Sequence, residues 1–215
     1  MGACGIAVMA RAPVPGAAKT RLVPALGPAR AAALHQRLTR ETIATATAAG
    51  IGPVTLWAYP SPDHPFFRRC QRRFGVALES QRGANLGERM LSAIAHGLET
   101  SAAVLVVGTD CPALTPELLR AGAAALSRGA DAVLLPVDDG GYALIGLRAP
   151  EPAVFRGIAW GEATVLGETL RRMEALKWRV ELLPATWDLD RPEDLPRLAA
   201  LRRARRGSAV RRLSQ

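Results

Sequence analysis

Three cationic side chains, Arg11, Lys19 and Arg21, lie close together near the start of the chain. Two prolines and Gly16 occur among them, which predicts an irregular loop rather than a helix. A lysine ammonium, arginine forks and the backbone amides of a turn are the groups that a phosphate-binding loop needs. The loop is not a Walker A motif, because Ala18 stands where glycine would precede the Lys-Thr pair. From this segment alone, a phosphate-binding loop and a solvated surface loop are equally good interpretations.

Aspartates follow two later apolar segments that have the composition of strands. Asp110 comes directly after one of them, and Asp190 follows the last of them. Two carboxylates from different strand ends can hold Mg²⁺ or Mn²⁺, and such an ion offsets charge on a phosphate leaving group. Asp188 ranks below Asp190 as a ligand, because we expect its side chain to face away from Asp190. Turn and capping roles are the alternative, and we expect Asp190 to cap a helix in any case.

Two glycine-containing segments could bring the backbone close to a ligand. Asp139, Gly140 and Gly141 join two apolar strand candidates, and taken alone this sequence predicts a hairpin turn. The same residues suit a backbone that approaches a sugar, with Asp139 accepting hydrogen bonds from hydroxyl groups. Residues 81–89 precede a helical pattern, and a helix N-terminus is a ready site for an anion.

The histidines and Cys111 are weaker candidates. His35, His64 and His96 lie in helical patterns away from the strand ends, so we do not expect them to be catalytic, although the pKa of histidine suits proton transfer. Cys111 is followed by proline and has no adjacent histidine, so we expect a packed thiol rather than a nucleophile.

The elements that must position these residues alternate along the chain. The strand candidates are 6–10, 54–59, 76–79, 104–107, 132–136, 142–147 and 180–183. The helix candidates lie near 28–49, 63–73, 86–99, 115–128, 162–176 and 192–205, and none is expected before about Pro28. This alternation predicts βαβ units and a single three-layer α/β/α domain with a mostly parallel mixed sheet, over residues 1–201. Ligands of such sheets bind outside the carboxyl ends of the strands, where the candidate residues lie.

The composition fits one domain in a reducing compartment. The 215 residues, 49% of them hydrophobic, are enough for one α/β domain and too few for two of ordinary size. The three cysteines lack C-x-x-C spacing, which argues against a disulfide framework and a zinc site. Neither a membrane-spanning segment nor a signal peptide is recognisable. We therefore expect a cytoplasmic protein that does not bind membranes.

The net charge of +9 is concentrated near the end of the chain. Residues 202–212 contain six arginines, and the remaining 22 basic and 19 acidic residues give a net charge of only +3. A short basic segment is more often a solvated helix end than a reader of nucleic acid. We expect residues 202–215 to form a flexible basic tail, and we do not expect a nucleic-acid partner.

Taken together, these segments resemble the GT-A, nucleotide-diphospho-sugar transferase superfamily. They are most similar to the bacterial glycosyltransferases of the radical-SAM and selenodomain-associated transferase 1 type. The matching segments run in order from residue 10 to 195 and are ARAPVPGAAKTRL, QRGANLGERM, GTDCPAL, DDGGYALIGL, GIAWGEATVL and DLDRPEDL. The resemblance implies a GT-A-like fold and a metal-dependent transferase that takes a nucleotide-activated substrate.

The resemblance also implies roles for individual residues. It implies a first loop that grips the nucleotide phosphates, and a Mg²⁺ or Mn²⁺ ion held by Asp110 and Asp190. Residues 83–89 would lie over the base or ribose, and residues 139–142 would line the sugar or acceptor pocket, with Trp160 as a candidate cover. The implied catalytic residues are Lys19, Asp110 and Asp139, and the implied binding residues are Arg11, Gly16, Lys19, Arg21, Gly83, Asn85, Arg89, Gly140 and Gly141.

Three positions depart from the pattern of the family. Asn85 stands where aspartate is expected, Arg191 stands where many relatives have threonine, and Gly108 replaces the first aspartate of a D-x-D motif. The single carboxylate at this strand end weakens the assignment of a standard metal site, but not that of the fold.

Three functions stay open. The first is glycosyl transfer from a nucleotide-sugar to a small-molecule acceptor. The second is nucleotidyl transfer from a nucleoside triphosphate to a phosphorylated small molecule, which the similarity of Lys-Thr-Arg-Leu to 2-phospholactate guanylyltransferases favours. The closer family and the single carboxylate leave glycosyl transfer slightly ahead. The third is non-catalytic nucleotide sensing or nucleic-acid binding on the same fold. The sequence predicts no oligomeric state.

Overall fold

The computed structural model of the chain describes residues 2–213. The strands are β1 (Cys4–Arg11), β2 (Val54–Tyr59), β3 (Ala77–Ser80), β4 (Ala103–Val107), β5 (Ala132–Pro136), β6 (Tyr142–Leu147) and β7 (Val180–Leu182). The α-helices are α1 (Val23–Leu26), α2 (Pro28–Ala49), α3 (Pro65–Phe74), α4 (Leu86–Leu98), α5 (Pro116–Ser127), α6 (Val165–Ala175) and α7 (Leu195–Leu213). Short 3₁₀-helices cover Thr20–Leu22, Pro152–Val154 and Pro192–Asp194.

The strands form one mixed sheet in the order β3-β2-β1-β4-β6-β5-β7. β1 pairs in parallel with β2 and β4, β2 with β3, and β5 with β7, whereas β6 runs antiparallel to both of its neighbours. The carboxyl ends of β1, β4, β5 and β7 therefore lie at the same edge of the sheet. The predicted three-layer architecture with a mostly parallel mixed sheet is confirmed.

The central strands are buried on both faces, which explains their continuous apolar sequences. In β1, Ile6 and Val8 join the core under α2, α3 and α5, whereas Ala7 and Met9 join the core under α4 and α6. This alternation follows from the two-residue period of a strand. A smaller cluster joins the loop after β1 to the segment after β7, and it consists of Leu22, Ala31, Leu38, Trp187, Leu189 and Leu198.

The loop after β1 contains more helix than its sequence predicts. The expectation that no helix begins before about Pro28 is wrong, because a 3₁₀-helix covers Thr20–Leu22 and α1 covers Val23–Leu26. Pro24 is tolerated because it lies in the first turn of α1, where its missing N–H needs no intrahelical partner. These turns fix the backbone of the candidate phosphate loop.

α7 continues through the predicted domain boundary at residue 201. The backbone is helical over Leu195–Leu213, and the Arg205 guanidinium donates a hydrogen bond to the Pro112 carbonyl at 2.9 Å. Residues 214 and 215 of the predicted tail lie outside the described residues, and the flexibility of the tail stays a prediction.

Two observations bear on the expected surroundings of the protein. None of the helices within residues 2–213 combines the length and the apolar character that crossing a membrane requires. Cys4, Cys70 and Cys111 are buried free thiols. This agrees with a cysteine spacing that argues against a disulfide framework. A cytoplasmic location stays a prediction.

Candidate active site

A cavity of about 350 Å³ opens at the carboxyl edge of the sheet. It lies between the start of α4, the start of α6 and the segment that follows β7. Of the residues predicted to act in the site, Arg21, Asp110, Asp139, Gly141 and Asp190 line it. Asp188 and Trp160 line it as well. The structure therefore brings these residues together at one cavity, and their roles stay predictions.

Lys19 is buried against protein groups rather than exposed to the cavity. Its side chain is only 4% exposed, and Nζ lies 2.9 Å from Asp110 Oδ1. The same ammonium donates to the Leu189 carbonyl, while Leu189 N donates to the Asp110 carbonyl at 2.7 Å. Lys19 adopts the left-handed conformation (φ 52°), which turns the backbone so that the side chain reaches this position. The contacts tie together the segments that follow β1, β4 and β7.

Arg21 lies at the cavity and forms an ion pair with Asp190. The Asp190 carboxylate raises the pKa of Arg21 by a hydrogen bond and by its charge. The expectation that Asp190 caps a helix is wrong: Arg191 is the N-cap of the following 3₁₀-helix, and the Asp194 carboxylate accepts hydrogen bonds from Asp190 N and Arg191 N at 3.0 and 2.7 Å. The Asp190 carboxylate is thereby left for Arg21.

Asp188 faces the same cavity as Asp190, so the expectation that it faces away is wrong. Trp187 and Leu189 are buried in the small core cluster. Asp188 and Asp190, which alternate with them along the chain, line the cavity. Residues i and i+2 of an extended segment share a face, which the Trp-Asp-Leu-Asp alternation could have revealed. Burial, and then repulsion from Asp139 and Asp190, raises the pKa of Asp188 to about 6.

The β5–β6 connection is the predicted hairpin, and it is pressed against the start of α6. Asp139 Oδ1 accepts a hydrogen bond from Gly141 N at 2.9 Å. Gly140 has φ 87°, and a Cβ atom at this position would lie 2.0 Å from the Ala163 carbonyl oxygen. Any side chain there would displace the hairpin from α6, so glycine is required. The turn holds Asp139 at the cavity wall.

The remaining predicted binding residues do not line this cavity. Arg11 and Arg89 place their guanidinium carbons 5.3 and 4.0 Å from the ring centroid of Tyr59. Arg89 also donates to the Gly83 carbonyl at 3.0 Å, and Asn85 caps α4 by accepting from Glu88 N at 3.0 Å. Gly16 forms a turn with φ 79° in the first loop. Arg11 and Arg89 therefore meet at Tyr59, at the end of β1 and β2, and form a second region outside this cavity.

His35 lies next to the site, contrary to the expectation from the sequence. Its Nε2 lies 2.9 Å from the Arg11 carbonyl oxygen, and its Nδ1 lies 3.9 Å from Asp110 Oδ1. The expectation that it lies away from the strand ends is wrong, because α2 crosses beneath the loop after β1. His35 shares the buried face of α2 with Ala31 and Leu38, and this helical spacing was the available signal.

Trp160 and Cys111 occupy opposite parts of the cavity wall. A Cβ atom on Gly87 would lie 2.7 Å from Trp160 Cζ2, so the indole packs directly on the first turn of α4. The Cys111 thiol lies 3.9 Å from Thr186 Oγ1, and burial raises its pKa. A thiol of raised pKa is a poor nucleophile, which agrees with the predicted packing role.

The donor atoms fit a hard divalent cation, although they do not form a complete cage. Within residues 2–213, no group of three or more His, Cys, Asp or Glu side chains is arranged to hold a metal ion. Mg²⁺ is commonly bound by one or two carboxylates, with water and substrate phosphates as the other ligands. Asp110 is half-exposed, with Lys19 on one side, and the carboxylate of Asp188 is held among like charges. These two side chains are therefore the best-suited protein ligands.

Comparison with known protein families identifies the group to which the chain belongs. Residues 42–162, more than half of the chain, match DUF2064, a family described as an uncharacterized protein conserved in bacteria. The chain belongs to the DUF2064 family. The matched region includes Asp110 and Asp139, but it ends before Asp188 and begins after the loop of Lys19. No curated protein matches the chain in sequence.

Solved structures extend this result to the fold. A protein from Desulfovibrio desulfuricans G20, provisionally described as a nucleotide-diphospho-sugar transferase, is 30% identical, with a TM-score of 0.80 and coverage of 89% of this chain and 84% of that chain. CMP:2-keto-3-deoxy-manno-octonic acid synthetase complexed with CTP has 14% identity and a TM-score of 0.55, with 94% and 99% coverage. Glucosyl-3-phosphoglycerate synthase from Mycobacterium tuberculosis, in complex with Mn²⁺, UDP and glucosyl-3-phosphoglycerate, has 12% identity and a TM-score of 0.58, with 94% and 76% coverage. The resemblance to the nucleotide-diphospho-sugar transferase superfamily is confirmed.

Proposed function

We propose that this DUF2064 protein is a glycosyltransferase that requires a divalent cation and uses a nucleotide-sugar as donor. The observation that carries the proposal is the cavity at the carboxyl edge of the sheet, whose wall holds five carboxylates and a single cationic side chain among the described residues. A transferase that acts on a nucleotide-activated substrate agrees with the similar solved structures, which include both nucleotide-sugar transferases and nucleotidyltransferases.

The charge of the cavity supports the dependence on a cation. Among the described residues, its lining side chains include one cation, Arg21, and the five carboxylates of Asp110, Asp139, Glu162, Asp188 and Asp190. A polyphosphate would be repelled by this wall, because like charges at short range in a partly buried site are screened only weakly. A divalent cation held by Asp110 and Asp188 would neutralise both the wall and the phosphates, and would stabilise the leaving diphosphate.

The small number of free cations favours a diphosphate over a triphosphate. Nucleotidyl transfer brings a more highly charged substrate to the site, and it would benefit from both Lys19 and Arg21. Lys19, however, is already engaged with Asp110 and Leu189. Arg21 can leave Asp190 and contact a phosphate, because its side chain is 59% exposed. This charge balance supports glycosyl transfer over nucleotidyl transfer.

The proposed roles follow from position. Asp110 and Asp188 hold the cation, Arg21 contacts the diphosphate, and Asp139 accepts a hydrogen bond from a hydroxyl of the transferred sugar. Lys19 is a positioning residue, because its ammonium orients the Asp110 carboxylate without reaching the cavity. Arg11, Tyr59 and Arg89 offer a planar cationic surface on which the nucleoside could stack.

Product analysis tests the reaction directly. The protein is incubated with Mn²⁺ in two sets of reactions. One set contains UDP-, GDP-, CDP- or ADP-glucose. The other contains one of the four nucleoside triphosphates together with a panel of sugar phosphates. We expect release of a nucleoside diphosphate from one nucleotide-sugar, lost in Asp188→Asn and kept in Asp138→Asn, whose carboxylate points instead to Arg197. Pyrophosphate release from a triphosphate would contradict glycosyl transfer and establish the nucleotidyl alternative.

A further inference from the structure

The cavity has two chemically different ends. The carboxylates and Arg21 lie at its outer end, where the strand-end loops meet, whereas the floor is formed by apolar side chains of the sheet and of α4. Met9 of β1, Val106 of β4, Ile145 of β6 and Met90 of α4 all line it, and each is at most 8% exposed. They belong to the same core cluster, so the cavity reaches into the hydrophobic layer between the sheet and α4.

The rim repeats this apolar character. Leu86, at the first position of α4, is 43% exposed and lines the cavity. It is one of only three large hydrophobic side chains exposed to this degree among residues 2–205. The rings of Trp160 and Tyr142 also line the cavity and continue the apolar surface from rim to floor. An exposed apolar side chain beside an apolar cavity marks a place where a ligand excludes water.

We propose that the acceptor of this enzyme is a small alcohol with an apolar, ring-sized body, rather than a sugar or a sugar phosphate. The inference rests on the proposed function and names its acceptor. The apolar body would lie on Met9, Met90, Val106 and Ile145, with its hydroxyl directed to the carboxylate end. A polyhydroxylated acceptor would bury hydroxyl groups against these four side chains, which offer them no hydrogen-bond partners, and this is costly. Met9 and Met90 adapt to the ligand, because the methionine side chain is unbranched and flexible.

In the transfer itself, the acceptor hydroxyl oxygen forms a bond to the anomeric carbon of the donor sugar. The bond from that carbon to the diphosphate oxygen breaks, and its electron pair leaves with the nucleoside diphosphate. The hydroxyl proton passes to a carboxylate at the outer end of the cavity, where Asp139 is the candidate because it is not assigned to the cation. No oxidant or reductant is needed, so the reaction balances with donor and acceptor alone.

A matched pair of ring alcohols tests the inference without knowledge of the natural acceptor. Cyclohexanol and myo-inositol have the same carbon ring, but they carry one and six hydroxyl groups. Saturation-transfer difference NMR detects weak binding of each to the whole protein, and titration gives the dissociation constants. We expect cyclohexanol to bind about tenfold or more tightly than myo-inositol. Equal binding, tighter binding of myo-inositol, or no binding of cyclohexanol would overturn the inference.

Three variants show whether binding occurs in this cavity. Met90→Gln places an amide on the floor of the cavity. Leu86→Gln changes the exposed rim without touching the buried core. Both variants should weaken the cyclohexanol signal at least threefold, a difference of a few tenths of a kcal/mol or more. Leu182→Gln is the control, because Leu182 is exposed on β7 and does not line the cavity. An unchanged signal in Leu86→Gln and Met90→Gln would place the binding elsewhere and overturn the inference.

The proposed function can fail separately from this inference. Binding of UDP, GDP, CDP and ADP with Mn²⁺ is measured on the same protein samples. Cyclohexanol binding in the cavity without any nucleotide binding would contradict the nucleotide-sugar donor while leaving the apolar ligand intact. Nucleotide binding without a preference for cyclohexanol would contradict the apolar acceptor while leaving the nucleotide-sugar donor intact.

Discussion

Two groups of carboxylates line the cavity: Asp110 pairs with Lys19 and Asp190 pairs with Arg21, whereas Asp188 and Asp139 have no ion pair with residues 2–205. We call these the paired side and the acidic side. The paired side supplies its own neutralising charges and ties three loops together. On the acidic side, burial and then repulsion from Asp139 and Asp190 raise the pKa of Asp188 to about 6. The contrast supports the proposed roles: ion pairs fix the carboxylates of the paired side, Asp110 among them, while the acidic side adds the unpaired Asp188 to the proposed cation site.

The largest expected effect is loss of stability on the paired side. Lys19→Met keeps the aliphatic stem but leaves Asp110 and the Leu189 carbonyl without their donor. We expect the free energy of unfolding to fall by about 1–3 kcal/mol. The loss is smaller than for a fully buried ion pair, because Asp110 is half-exposed. Urea denaturation measures it. Arg21→Met is the matched control, and loss of its exposed pair should lower the free energy of unfolding much less. Equal losses in both variants would remove the distinction between a buried and an exposed pair.

The second prediction concerns the acidic side and has a pH signature. The folded pKa of Asp188 is about 6, above the ordinary value of 3.8 for aspartate, so the folded state holds this proton more tightly than the unfolded state does. Stability of the wild-type protein therefore falls as pH rises from about 4 to about 6, relative to a variant that lacks the charge. Asp188→Asn should melt at a higher temperature than the wild type at pH 7.5 without metal, and the difference should vanish near pH 4.

A melting-temperature scan from pH 4 to pH 8 checks this sign. Asp138→Asn serves as the control, because Asp138 is exposed and pairs with Arg197. A lower melting temperature of Asp188→Asn at pH 7.5 would show that its carboxylate is stabilised in the folded protein, contrary to the expected repulsion.

Much of the fold follows from the sequence because its signals are local. The apolar runs that become β1, β4 and β5 are continuous since both faces of the sheet are covered, and Thr115 caps α5 as its Thr-Pro-Glu sequence indicates. The hairpin at Asp139 to Gly141 likewise follows from turn chemistry. These features depend on a few neighbouring residues, so no tertiary contact is needed to predict them.

The errors at the candidate site have a different origin. The burial of Lys19 and the proximity of His35 to Asp110 depend on how α2 and the first loop pack on the sheet, and local patterns do not encode this packing. Capping by Asp194 rather than Asp190 depends on which of several nearby carboxylates reaches the amides. The orientation of Asp188, in contrast, was accessible from the period of an extended chain.

The smallest expected effect concerns the basic end of α7. If its arginines neutralised the acidic side, their removal would weaken nucleotide binding. Arg205 contacts the Pro112 carbonyl, and no residue of α7 lines the cavity among the described residues. Ending the chain after Leu201 should therefore change nucleotide affinity less than about twofold, which corresponds to a few tenths of a kcal/mol. A larger loss in a fluorescence titration, with the fold intact by circular dichroism, would assign the tail a binding role.

Calorimetric titration of a nucleoside diphosphate, with and without Mn²⁺, examines the need for a cation most directly. The nucleotide is whichever of UDP, GDP, CDP and ADP raises the melting temperature most. We expect Mn²⁺ to tighten binding by at least about tenfold in the wild type and to have little effect in Asp188→Asn, because the ion then lacks one of its two carboxylates. Equal affinity with Mn²⁺ and with a chelator in the wild-type protein would contradict a cation bound on the acidic side.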